Sequence, residues 1–449
     1  MCVAGPSAVP TEPCANIKKN AVRDSSMRRN VLMIAYEFPP INTSGSWRPF
    51  HFAKHLPEFG YRPLIVTQNG FCYASHALDK QVLQELDPCC RITTVRPWRF
   101  SARAEVADSS SAASAGILGR LSGTVERVAN GRALGALTVL AGLRFLRRHG
   151  FDLIWASGPP WAALRLGYRL SKLTGKPLVA DMRDPWTYGV LWTRLGPAER
   201  EKAKLWEPRV LQQAQRIVYT SPLTAEIMRG SCGDSVAQRI VAITNGFSQL
   251  SENLESAGRG PRCCFCYLGK LEKGIRDPSI LLEGFRMACR DKAFADTARL
   301  RLIGTMRGFD GELTAKLTGP VETQECVPYR ESLRLMREAD VLILLQTMHG
   351  KGDDVVGGKA YEYLAAGKPI LGVVPERGGD AWLLGTTGAG RVTGIDDAQC
   401  IAEGLHHYWR LWKDNKLTGA PAHCDLSRFD RRTLTHDLAN LFEEILAGK

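Results

Sequence analysis

Twice along this chain, short apolar runs alternate with longer stretches of helical periodicity, and turn-forming Gly, Pro, Ser or Asn residues punctuate the joins. That alternation admits few folds. Apolar runs of five or six residues read as strands buried on both faces, and strands joined through helices pair in parallel. The first series holds the runs Val31–Tyr36, Pro63–Thr67, Asp152–Ser157, Leu178–Met182, Arg216–Ser221 and Arg239–Phe247, with helical stretches at Arg48–Phe59, up to Thr174 and at Ala198–Gln213. The second holds Cys263–Leu268, Arg299–Gly304, Asp340–Leu345 and Pro369–Val374, with helices at Ser279–Arg290 and Arg330–Ala339. No solenoid-length repeat connects them. The chain is therefore α/β, with two Rossmann-like domains facing across a cleft.

Boundaries follow from composition. Residues 1–26 mix Pro, Ser, Ala and Asn without periodicity and read as a disordered leader, and Met27 ahead of Arg28 and Arg29 reads as a second start site. The N-terminal domain spans 27–248. A polar, Gly-bearing linker covers 249–261, the second domain covers 262–424, and a charged helix within 425–449 closes the chain and is expected to pack back on the N-terminal domain. The thirteen cysteines are scattered and odd in number, which fits reduced thiols in a cytoplasmic protein. Cys263 and Cys266 stand three apart in a strand, so they face opposite ways and share no zinc. The longest uncharged apolar run, Ala133–Leu143, is too short to span a bilayer, which needs about 18 residues.

Net charge is +13, which favours polyanionic partners. Between residues 101 and 150, leucines interleave with Arg120, Arg127, Arg132, Arg144, Arg147 and Arg148, a pattern that fits either a domain helix with a solvated basic face or a segment lying on an anionic membrane. No aromatic-interleaved basic run marks a nucleic-acid site.

Loops at the carboxyl ends of strands are where such sheets bind ligands. Four deserve comparison. The first, between Tyr36 and Trp47, carries Pro39, Pro40, Ser44, Gly45 and Ser46 but lacks G-x-G-x-x-G, which disfavours a dinucleotide cofactor. The second follows Leu178–Met182, where Asp181, Arg183 and Asp184 suit either an acceptor hydroxyl or a structural ion pair. The third is the basic stretch Lys270–Arg276. In the fourth, Gly357 and Gly358 open a short helix in which Lys359 and Glu362 share a face, with Asp354 eight residues before Glu362.

Three of these stretches resemble the GT-B glycosyltransferases of retaining glycosyltransferase family 4: the N-terminal loop with Gly45, YLGKLEKG after the linker, and GGKAYEYLAAGKPIL. YEFPP and DMRDPW are similar to a subgroup acting in polysaccharide assembly. The resemblance implies a retaining, metal-independent transferase that takes a nucleotide-diphosphate sugar, needs no cofactor, and delivers to a saccharide or lipid-linked acceptor at the cytoplasmic face of a membrane. It implies that Glu362 binds the donor ribose and that Asp354, where the family carries Glu, meets the transferred sugar. Lys270, with Lys273 or Arg276, would hold the diphosphate, and Gly45 would approach it. His51, His55 and His149 are acid–base candidates by residue type alone. The same fold also serves a sugar-nucleotide epimerase or an inactive scaffold.

Overall fold

A computed structural model describes residues 28–41, 43–68, 80–95, 139–248, 260–307, 319–348, 352–419 and 424–448, with a few isolated positions between them. The leader with Met27, most of the linker and most of the 101–138 basic stretch lie outside the described residues.

Seven strands form the N-terminal sheet: β1 (Arg29–Ala35), β2 (Tyr61–Gln68), β3 (Arg91–Val95), β4 (Leu153–Gly158), β5 (Leu178–Met182), β6 (Arg216–Tyr219) and β7 (Ile240–Ala242). Their order is β3-β2-β1-β4-β5-β6-β7, and every pairing is parallel. The central strands β4 and β5 are buried at every residue, as their unbroken apolar runs require. The second half contains β8 (Cys263–Leu268), β9 (Leu271–Glu272), β10 (Ala298–Ile303), β11 (Met306–Arg307), β12 (Val321–Gln324), β13 (Val341–Leu345), β14 (Ile370–Val373) and β15 (Gly390–Val392). Six of them build a second parallel sheet in the order β12-β10-β8-β13-β14-β15, and β9 and β11 form a separate pair. In β8, Cys263, Phe265 and Tyr267 enter one core while Cys264, Cys266 and Leu268 enter the other, so the two spaced cysteines point to opposite faces.

Several elements differ from the sequence expectation. The first helix runs Trp47–His55 and tightens into a 3-10 turn at Leu56–Phe59, because Pro57 supplies no amide donor to continue the ladder. The expected strand Arg239–Phe247 is only Ile240–Ala242. Beyond it, Thr244, Asn245 and Gly246 leave the sheet edge and line the interdomain cleft. Edge strands β3 and β12 carry exposed polar residues and give no apolar run in the sequence.

The closing helix Arg431–Leu446 returns to the first half. Leu434, Leu438, Leu441 and Phe442 join the core beneath β1, β2 and the first helix, and Tyr61 stacks edge-on against Phe442 with ring centroids 5.3 Å apart. The Tyr61 hydroxyl donates to Glu443 at 2.9 Å. The chain thus crosses between the halves twice, and the cleft has contributions from both sheets and from this helix.

Candidate active site

The cleft is a cavity of about 420 Å³ between the carboxyl ends of the two sheets. One wall comes from the first helix and the 244–246 turn, through Ser44, Trp47, Arg48 and His51. The facing wall carries Lys270, Arg276, Gly357, Gly358, Lys359 and Glu362. Three cations, a glycine-opened helix N-terminus and a carboxylate therefore converge, which is the donor set that a phosphorylated, hydroxylated ligand requires.

Local sequence explains how that wall is held. The helix Gly358–Ala366 starts after an extended Gly357 and stops where Gly367 adopts a left-handed φ of 68°, a conformation that costs glycine nothing. Tyr363 fixes it to the sheet: its buried hydroxyl accepts from the Leu268 amide at 2.9 Å. Two residues later the chain reaches Lys270, whose carbonyl accepts from Tyr267 at 2.9 Å. Glu362 is paired with Lys359 at 2.8 Å, one helical turn apart, and both remain accessible from the cleft. Lys270 stands 3.1 Å from Glu272, and Glu272 is shared with Arg194 of the other half at 3.2 Å. Lys273 does not line the cleft, whereas Arg276 does.

Asp354 lies elsewhere. It lines a second compartment of about 200 Å³, with Asp184, Tyr188 and Met348, and the two compartments share Arg276 and Gln346. Its carboxylate accepts from the Gly352 amide at 3.1 Å and from the Thr224 hydroxyl, and its carbonyl accepts from Ser221 at 2.6 Å. Both hydroxyls belong to the N-terminal half. Asp354 therefore fastens one half to the other rather than facing Glu362.

The three residues after β5 separate completely. Asp181 is fully buried beneath the cleft and is bound by Arg48, with contacts at 2.8 and 3.1 Å, and by Ser157 at 2.7 Å. It is committed to an ion pair, and the partner is Arg48 of the first helix rather than Arg183, two residues on. Arg183 turns to Glu37 at 2.7 Å and to the Gly45 carbonyl at 2.6 Å. Glycine at 45 leaves room for that pair: a β-carbon there would sit 1.7 Å from Glu37 Oε2 and 2.0 Å from the Arg183 guanidinium, so a side chain would displace them. Of the three, only Asp184 faces open space, in the second compartment, and burial pushes its carboxyl upward despite the opposing charge of Arg183.

Four cleft residues escape the sequence reading. Asp380 is buried, accepts from the Gly357 amide at 2.9 Å, and burial pushes its carboxyl up to about 6 against the effects of that hydrogen bond and of Arg276. Its signal was present: Gly378-Gly379-Asp380 opens a helix just past β14, at another carboxyl-end loop. Arg431 donates to His51 Nε2 at 2.5 Å, which leaves the proton on Nδ1, where it finds no partner among the described residues. Burial, then the charges of Arg431, His55 and Lys54, hold His51 well below the ordinary imidazole value, so it is neutral. His55 pairs instead with Glu58 at 2.7 Å, and neither His55 nor His149 lines the cleft. Arg48 and Gln346 complete the four. Among the described residues no cluster of His, Cys, Asp and Glu has the makings of a metal site.

Comparison with known proteins places this geometry. Residues 48–246 match the family model described as "Glycosyl transferase 4-like domain". No curated protein matches the chain. Among solved structures, Anabaena HepE in complex with UDP and glucose is similar at a TM-score of 0.61 and 17% identity, covering 93% of this chain and 100% of that one. Sucrose-phosphate synthase from Thermosynechococcus elongatus reaches 0.64 at 14% identity, covering 94% and 100%. A putative UDP-N-acetylglucosamine 2-epimerase from Listeria monocytogenes reaches 0.54 at 10%, covering 94% and 98%. The family match thus covers the N-terminal half, residues 48–246, and the chain as a whole has the GT-B fold of these structures.

Proposed function

We propose that this protein transfers a sugar, with retention and without a bound metal, from a nucleotide-diphosphate donor to a saccharide or lipid-linked acceptor, in polysaccharide or glycoconjugate assembly. The observation that carries the reading is the convergence of Lys270, Arg276, the Gly357–Gly358 helix opening and Glu362 on one interdomain cavity. When the anomeric carbon parts from the diphosphate, negative charge grows on the leaving oxygen. Lys270, Arg276 and the helix-opening amides supply fixed positive charge where that growth occurs. Glu362 accepts the ribose hydroxyls and gives up Lys359 or shares it with a phosphate.

Arg276 and Gln346 line both compartments, so the reading places the scissile bond near them, with the nucleotide in the larger space and the acceptor entering past Asp184 and Tyr188. Support for a nucleotide sugar as partner comes also from HepE, whose structure holds UDP and glucose. An epimerase on the same fold is the second reading, favoured by the Listeria neighbour.

A panel of nucleotide sugars tests the proposal by thermal shift, because a ligand that binds only the folded state stabilises it by about 2.7 kcal/mol at one hundred times its Kd. The stabilising donor is then incubated with and without saccharide and lipid acceptors. Labelled sugar appearing in an acceptor supports transfer. An isomerised donor formed without acceptor replaces it by epimerisation, and no shift with any nucleotide sugar overturns both.

A further inference from the structure

We propose that the outer helical layer of the N-terminal domain is a docking face for an anionic lipid bilayer. Four helices cover the same side of the seven-stranded sheet, sharing one core: the segment 139–149, Ala162–Thr174, Pro197–Gln213 and Pro222–Ser231. Gly142 packs against Leu170, and Tyr168 meets Trp206 edge-on at 5.8 Å, so the first three are direct neighbours. Six large hydrophobic side chains are exposed among the described residues, and five of them, Leu140, Leu143, Leu173, Leu205 and Ile227, stand on this layer. Leu140, Leu173 and Leu205 are 62%, 66% and 50% exposed.

The same helices carry cations. The segment 139–149 carries exposed Arg144, Arg147 and Arg148, and Ala162–Thr174 carries Arg165, Arg169 and Lys172, with no Asp or Glu in either. Pro197–Gln213 is mixed, since Glu199 and Glu201 offset part of Arg200, Lys202, Lys204 and Arg209, and its third acid, Glu207, is buried. Trp206 sits within 5.8 Å of the guanidinium groups of Arg165, Arg169 and Arg209. A half-buried tryptophan ringed by arginines, beside projecting leucines, matches the headgroup level of a membrane, where amphipathic aromatics and basic side chains reside. A soluble polyanion accounts for the arginines but leaves the leucines in water. No helix among the described residues is long and apolar enough to cross a membrane, so attachment is to the surface.

The inference rests on the transfer reading only for its purpose, which is to bring a lipid-linked acceptor to the cleft. Lipid binding itself is measurable without donor or acceptor. The full-length protein is floated with phosphatidylcholine vesicles and with vesicles containing phosphatidylglycerol. Binding is expected only to the anionic vesicles and is expected to weaken as salt rises from ~0.15 to ~0.5 M. Arg144→Glu/Arg147→Glu/Arg148→Glu lowers binding at least a hundredfold, at about fivefold for each cation lost near the surface. Leu140→Ser/Leu173→Ser/Leu205→Ser lowers it while preserving the thermal unfolding profile, and Ile92→Ser on the edge strand β3 does not. Failure of the wild type to float with anionic vesicles, or equal flotation of all variants, overturns the proposal whatever the donor screen returns. Loss confined to the arginine variant assigns the face to a soluble polyanion instead.

Discussion

Replacing Arg48 by Met separates structure from chemistry at the floor of the cleft. Arg48 and Asp181 are almost wholly buried, and Asp181 has two donors, the Arg48 guanidinium and Ser157. Arg48 also donates to the Thr244 carbonyl at 2.8 Å, on the turn that lines the cavity. Methionine keeps an unbranched stem but removes the guanidinium, which lies 4.8 Å over the Phe52 ring, and strands the carboxylate with one hydroxyl. Removing one partner of a buried pair costs about 3–5 kcal/mol. At about 2–4 °C per kcal/mol for a domain of this size, thermal unfolding falls by roughly 6–20 °C. Arg48→Met/Asp181→Leu removes both charges and is expected to recover most of the loss, since two apolar residues in place of a buried pair are close to neutral. Calorimetric unfolding of the four members of the cycle gives the coupling directly. A loss below about 2 °C for Arg48→Met refutes the argument. So does an Asp181→Asn protein that unfolds like the wild type yet has lost transfer at unchanged donor affinity, because Asp181 then acts on substrate.

Glu362→Gln keeps the side-chain shape and removes its charge. Donor affinity by calorimetry is expected to fall roughly ten- to hundredfold, the worth of about 1.5–3 kcal/mol in charge-assisted bonds, and an unchanged Kd moves the ribose elsewhere. Asp380 has a pH signature. Its folded-state carboxyl, raised to about 6, binds its proton more tightly than in the unfolded chain, so its contribution favours folding below about pH 4 and is lost as pH rises through 6. Asp380→Asn is therefore expected to gain thermal stability over the wild type at pH 8, with the gain vanishing near ~pH 4. A bound diphosphate disfavours the carboxylate further, so nucleotide affinity tightens as pH falls from ~7 to ~5 in the wild type but not in this variant, and parallel profiles contradict the placement of Asp380.

Much of this fold is written in the sequence because buried parallel strands leave unbroken apolar runs. The runs around β4, β5, β8 and β13 sit within a residue or two of the observed strands. Edge strands β3 and β12 need only one partner and little burial, so RITTV and VETQ lack the pattern. Site residues divide the same way. Those on strand-end loops or the helix such a loop opens, such as Lys270, Gly357 and Glu362, follow from local order. Arg48 with Asp181, 133 residues apart, and Arg431 with His51, 380 apart, meet only through the packing of whole elements. Spacing also misleads at Asp181: Arg183 stands only two residues on, but the strand ends at Met182, so Arg183 lies outside it, and the buried carboxylate takes the cation on the first helix.

Asp354 shows how spacing and reach part company. An acid eight residues ahead of another suggests a matched pair, but the helix begins only at Gly358, so Asp354 lies in the preceding loop, and no helical face relates it to Glu362. Asp354 is enclosed. Gly352 and Thr224 hold its carboxylate, Ser221 holds its carbonyl, and it is 3% exposed. Asp354→Glu inserts a methylene into that enclosure, which costs about 1–3 kcal/mol by overpacking and loosens the grip of the N-terminal half on the loop. The expected outcome is a lowered unfolding temperature, a wider compartment beside Tyr188, and no gain in turnover. If instead the aspartate is a sugar contact of shortened reach, the glutamate variant unfolds like the wild type and turns over faster. Differential scanning calorimetry alongside a transfer assay separates the two, because one account predicts the temperature to move and the other predicts the rate.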